Sequence, residues 1–159
     1  MTAQAIVVFL SRWIHVTSAC LLFGSTFFFY AIAPLATRPL DEQGREAVFL
    51  KCRRGFKLIV HTTILLLLLS GTYNAIHNWP AYRGNMPTTH MLFGSHLLLG
   101  LIIFAILLVI LARREPIRSH RTWLRVSVVL LFLTVAAASA LKQAREHVKT
   151  NGAVASHVP

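Results

Sequence analysis

The chain has 159 residues, 55% of them hydrophobic and 13% charged, with 16 Lys plus Arg against 5 Asp plus Glu. An average soluble domain carries about 25% charged residues, so the composition excludes an ordinary soluble globule. The basic excess is not that of a nucleic-acid binder, because the cations border apolar runs and form no groove-lining stripe or DNA- or RNA-binding motif.

A helix that crosses a bilayer needs about 20 mostly apolar residues. Four stretches meet that need, at about 5–34, 58–77, 90–112 and 122–141. The first contains one charge, Arg12; the second and third contain none; the fourth holds Arg125 near its start. The first lacks the basic start, short core and small-residue cleavage site of a signal peptide. "HTTILLLLLSG" is a solid apolar run, not the alternation of a barrel strand. The expected fold is an all-α, integral membrane, up-down four-helix bundle over residues 1–142, followed by a mobile tail over 143–159.

Between the first two spans lies "ATRPLDEQGREAVFLKCRRGFK", which mixes both signs with Val48, Phe49 and Leu50. It reads equally well as an amphipathic surface helix or as a solvated loop. It holds Arg38, Arg45, Lys51, Arg53, Arg54 and Lys57. The third connection, around "ARREPIRSHR", holds Arg113, Arg114, Arg118, Arg121 and Arg125. The middle connection has only Arg83, and the tail has Lys142, Arg145 and Lys149. Connections one and three share a side, and the positive-inside rule assigns that side to the cytoplasm. Both termini are then extracytoplasmic, in a multi-pass protein of the cytoplasmic (inner) membrane. Trp79 and Tyr82 suit the outer interface and Trp123 the inner one.

Function is read from histidine inside lipid, since ionisable residues in spans are costly and face the bundle interior. His120, His147 and His157 fall outside the spans and read as solvated. Counting 1.5 Å per residue brings His15 and His96 to nearly one level, about 5–8 Å outside the midplane. They lie on the first and third spans, diagonal neighbours in an up-down bundle. Two imidazoles across a diagonal can supply both axial nitrogens of a b-type haem. Arg12 lies on the same face as His15, one turn nearer the outer surface, where it can pair with a haem propionate. Gly71 lies at a similar depth and can admit a flat macrocycle, or simply allow close helix packing. The alternatives for the histidine pair are a copper or other metal site, and plain hydrogen bonding. His77 and His90 form a second level at the outer ends of the second and third spans, suited to a metal or a second haem. His61, near the inner boundary, is a ligand only with a partner from elsewhere. Cys20 and Cys52 make no framework.

"RWIHVTSACLLFGSTFFFYAIAP" resembles the first helix of the copper-resistance protein D superfamily, through His15, Phe23-Gly24 and Pro34. "LLLSGTYNAI" is similar to the Ser/Thr-Gly step of that superfamily's second helix, through Ser70 and Gly71. "FGSHLLLGL" resembles its third helix, where a Gly is closely followed by Lys; here His96 stands near the Lys position. The bacterial membrane protoporphyrinogen oxidases, four- to five-helix haem proteins, share a similar helix-one His and helix-three Lys. The resemblance implies haem binding or copper handling in a small membrane bundle. The exchange of Lys for His weakens the implied oxidase activity and adds a nitrogen ligand.

The expected function is a membrane cytochrome b carrying one haem b, or two, and passing electrons between a quinol or redox protein and an acceptor, as an oligomer or a subunit of a larger complex. The alternatives are copper handling, a porphyrin or quinone oxidoreductase, and a purely structural subunit. No carboxylate lies within a span, so an oxidoreductase would move protons through His, Tyr73 or water. Copper handling would call for soft ligands on one face, and three Met and two Cys do not line one.

Overall fold

A computed structural model describes residues 2–83, 86–113 and 120–155, with side chains described outside 81–89 and 144–155. Every element among them is helical: α1 (Ala3–Phe27), a π turn (Phe28–Ile32), α2 (Ala33–Ala36), α3 (Glu42–Arg83), α4 (Met86–Ala112) and α5 (Arg121–Ala155). α1 and α2 form one rod through the π turn. Four helices are thus long and apolar enough to cross a membrane.

Three boundaries differ from the expected ones. The first basic connection is neither a surface helix nor a loop: the chain turns within residues 37–41 and α3 is already helical at Glu42. At 42 residues and about 1.5 Å per residue, α3 is roughly twice as long as a bilayer core is thick. Its first turns form a basic extension of the second span. Asp41 starts it, the carboxylate accepting the Gly44 N–H at 2.8 Å. The fourth helix continues past Leu141, so the segment expected as a mobile tail is helical as far as Ala155. The first helix does not end at Pro34. Proline brings no N–H to the turn before it, and the ladder widens there to a bond from Ala33 N–H to Phe28 O.

The helices pack as two antiparallel hairpins, α1 with α3 and α4 with α5. Buried residues repeat at alternating steps of four and three: Val60, Ile64 and Leu67 on α3; Ile103, Leu107 and Ile110 on α4; Leu124, Val128 and Leu131 on α5. That repeat lines one stripe of each helix and suits the shallow crossing of a bundle. Small polar residues share the stripe, and their hydroxyls are satisfied within their own helices: Thr26 bonds Leu22 O at 2.7 Å, Thr63 bonds Ile59 O at 2.7 Å and Ser127 bonds Trp123 O at 3.0 Å. Small side chains let membrane helices approach closely.

The core is concentrated toward the end that carries the two basic connections. Phe29 packs on Phe56 with ring centres 4.4 Å apart, beside Leu107, Ile110 and Leu124. Arg53 on α3 reaches the end of α4 and donates to the carbonyls of Leu111 and Arg113, two acceptors that the helix end leaves without an intrahelical donor. On the other edge Phe23 and Phe132 join α1 to α5, edge to face, at 4.9 Å. Away from this end α4 loosens: none of its described residues before Ile103 is buried. A test separates core from lipid face. Leu107 is fully buried and Leu108 is 39% exposed. Leu107→Ala is expected to destabilise the bundle by about 2 kcal/mol or more through the cavity it leaves, and Leu108→Ala to change little, read as unfolding midpoints in one detergent.

Candidate functional site

Where α4 loosens, a cleft of about 630 Å³ opens between the two hairpins, within the range of small-molecule and cofactor sites. Its walls are mostly apolar, with Leu22, Leu67, Ile103 and Leu131 at the packed end. His15 and His96 both line it, and their ring centres stand 6.4 Å apart. The two elements that hold them, α1 and α4, are the diagonal pair, as the level-counting on the sequence predicts.

The hydrogen bonds fix which nitrogen each ring offers. Ser70 Oγ donates its one proton to Leu66 O at 2.6 Å. It lies 3.0 Å from His15 Nδ1 and therefore accepts from it, so Nδ1 carries the hydrogen. His96 Nδ1 lies 3.3 Å from the carbonyl of Thr134, which can only accept. These acceptors favour the Nδ1–H tautomer of both rings, in which Nε2 keeps its lone pair. A ring nitrogen bound to the protein on one side and free on the other is the usual dress of a metal-ligating histidine.

A third acceptor stands in the same wall. Asn74 lines the cleft, and its Oδ1 is buried without a hydrogen-bond partner. A buried acceptor left unpaired costs about 1–3 kcal/mol. It is a polar group in a mostly apolar wall.

Of the two parts expected of Gly71, close packing is the one its surroundings display. A Cβ built on it would lie 3.2 Å from His15 Cε1 and 3.6 Å from His15 Nδ1. The missing side chain makes room for the imidazole itself, letting α3 receive the His15 ring beside Ser70. No macrocycle is needed to explain the glycine. Arg12 does not line the cleft; its guanidinium donates to Asn78 Oδ1 at 3.4 Å, bridging α1 to α3.

The remaining histidines go elsewhere. His61 is exposed and its Nδ1 meets the carbonyl of Lys57, four residues earlier, at 2.7 Å. His77 stacks on Tyr73, centres 6.2 Å apart, and His90 meets Trp79 edge-on at 6.0 Å. His120 corrects the expectation of a solvated side chain: it is 4% exposed. The side chain of His147 and the whole of His157 lie outside the described residues. Among the described residues no group of three or more His, Cys, Asp or Glu is arranged to hold a metal ion. Sequence reasoning missed Ser70, Thr134 and Asn74 as parts of the site. Ser70 is legible afterwards as the small polar residue beside Gly71; Thr134 contributes through its backbone, which leaves no signal in side-chain pattern.

No protein-family model matches the chain, and no curated protein or solved structure matches it significantly.

Proposed function

We propose that the chain is a small membrane haem protein in which His15 and His96 supply the two axial nitrogens of a b-type haem and which serves electron transfer. One observation carries this reading: two diagonal imidazoles share a cleft at 6.4 Å, each oriented through Nδ1. An imidazole nitrogen sits about 2 Å from a metal that it ligates, with the ring centre about 1 Å beyond, so two rings on opposite sides of one ion have centres about 6 Å apart. Among the described residues lining the cleft, the imidazoles of His15 and His96 are the two nitrogen ligands. A bare ion with such a pair is under-coordinated, whereas a porphyrin brings four nitrogens of its own. That arithmetic favours haem over copper, as does the exposure of Cys20, Cys52 and Met91.

When bound, such a haem supplies a one-electron couple with no open coordination position, which suits transfer between carriers rather than oxygen activation. The chain's residues do the positioning. Ser70 Oγ and the Thr134 carbonyl hold the two Nδ1–H groups and fix both rings. Leu22, Leu67 and Ile103 close the inner end of the cleft to water. The exchange partner is a quinol or a redox protein reaching the outer half of the bundle, in keeping with a subunit of a larger redox complex. With the basic end on the cytoplasmic side, as the positive-inside rule assigns it, the cleft lies toward the outer leaflet of the cytoplasmic membrane.

The test is a reduced-minus-oxidised spectrum of the purified full chain, with iron measured against protein. A b-type band and about one iron per chain support the reading. A colourless protein that also fails to take up added haemin overturns it. A positioning variant refines it: Ser70→Ala is expected to weaken haemin binding about tenfold, the lower end of what losing such a support costs, and to leave helix content unchanged by circular dichroism.

A further inference from the structure

A second pocket, of about 210 Å³, lies at the opposite end of the molecule, where α4 ends and α5 begins. Ala105, Ile106 and Val109 form an apolar floor along α4, and Arg113, His120 and Trp123 form the rim. We propose that this pocket binds the headgroup of an anionic phospholipid, with an acyl chain along the apolar floor.

Five observations converge. The helix-end carbonyls of α4 that would repel a phosphate are taken up by Arg53. Arg113 lines the pocket, and its guanidinium has no hydrogen bond or ion pair among the described residues. Among the described lining residues there is no acid. Trp123 stands at the rim, 55% exposed, as an amphipathic ring does at the headgroup level. Finally, α5 begins at Arg121 beside the pocket, and a helix start favours negative charge. Basic pockets between spans on the cytoplasmic side suit acidic headgroups, and a planar guanidinium matches phosphate oxygens two at a time. An apolar floor leading from the rim toward the membrane interior distinguishes a lipid from free phosphate.

The experiment is native mass spectrometry of the detergent-purified full chain with added phosphatidylglycerol or phosphatidylcholine of identical acyl chains. Wild type is expected to retain phosphatidylglycerol at least fivefold over phosphatidylcholine. Arg113→Gln is expected to abolish the preference, Arg113→Lys to keep most of it, and Arg54→Gln, which removes an exposed charge from the same end, to leave it intact. Inorganic phosphate at millimolar concentration is expected not to displace the lipid. Equal retention of the two lipids, equal loss in Arg113→Gln and Arg54→Gln, or displacement by phosphate alone would each overturn the proposal. The unfolding midpoint of each variant in phosphatidylcholine checks that the bundle is intact. The haem spectrum plays no part in the readout, so this site and the histidine cleft stand or fall separately.

Discussion

Alanine at either His15 or His96 is expected to remove the low-spin b-type spectrum completely, and the double variant to be no worse than either single one. The reason is that one cofactor depends on both rings at once. Loss of a group that merely orients a ligand costs about 10–100-fold in affinity, so loss of the ligand itself costs more than that. Neither ring supports the packed core, which lies toward Phe56, Leu107 and Leu124. The variants are therefore expected to insert, to keep their helix content and to unfold within a few degrees of apo wild type. His96→Met separates a ligand from a structural residue. A thioether can hold iron and raises the reduction potential relative to imidazole, so this variant is expected to stay pigmented with a more positive midpoint. A potential unmoved in His96→Met, or a full spectrum in either alanine variant, would show that the pair at 6.4 Å serves hydrogen bonding within each hairpin.

How much of this was legible in the chain depends on which physical quantity a feature rests on. The number of spans follows from apolar run length, and the meeting of His15 with His96 follows from rise per residue and up-down connectivity. Both quantities survive translation from sequence to structure. Helix rotation does not. Gly71 has the predicted depth, but the object in front of it is the His15 ring, 3.2 Å from a built Cβ, and only packing decides that. Arg12 likewise has the expected face, yet it reaches across to Asn78 on α3. The continuity of α3 through the first basic connection was hidden because hydropathy reports solvent preference and not backbone conformation: Glu, Gln, Arg, Ala, Leu and Lys in that stretch are good helix formers. The charged connection predicts a solvated His120, but hydropathy does not report burial at a helix start, and the side chain is buried there.

The close fit between α3 and His15 makes position 71 the most sensitive point of the cleft that bears no ligand. Gly71→Ala puts a methyl group at ordinary-to-tight distance from the ring, so the imidazole shifts by a few tenths of an ångström and the Ser70 bond lengthens. A several-fold loss of haemin affinity is expected. Gly71→Leu cannot be absorbed in this way. Its side chain enters the space held by the imidazole, drives Nδ1 off Ser70 Oγ and fills part of the cleft that Gly71 lines. Loss of a supporting hydrogen bond alone is worth about 10–100-fold; combined with a displaced ligand, haemin uptake by Gly71→Leu is expected to fall below detection. Gly100 also lines the cleft, but a Cβ there would meet nothing within 4 Å. Gly100→Ala is therefore expected to bind haemin like wild type. Titration of the three apo variants with haemin orders them as Gly100→Ala, Gly71→Ala, Gly71→Leu. A reversal of that order would mean that the ring does not rest on α3 and that the tautomer assigned to His15 through Ser70 is wrong.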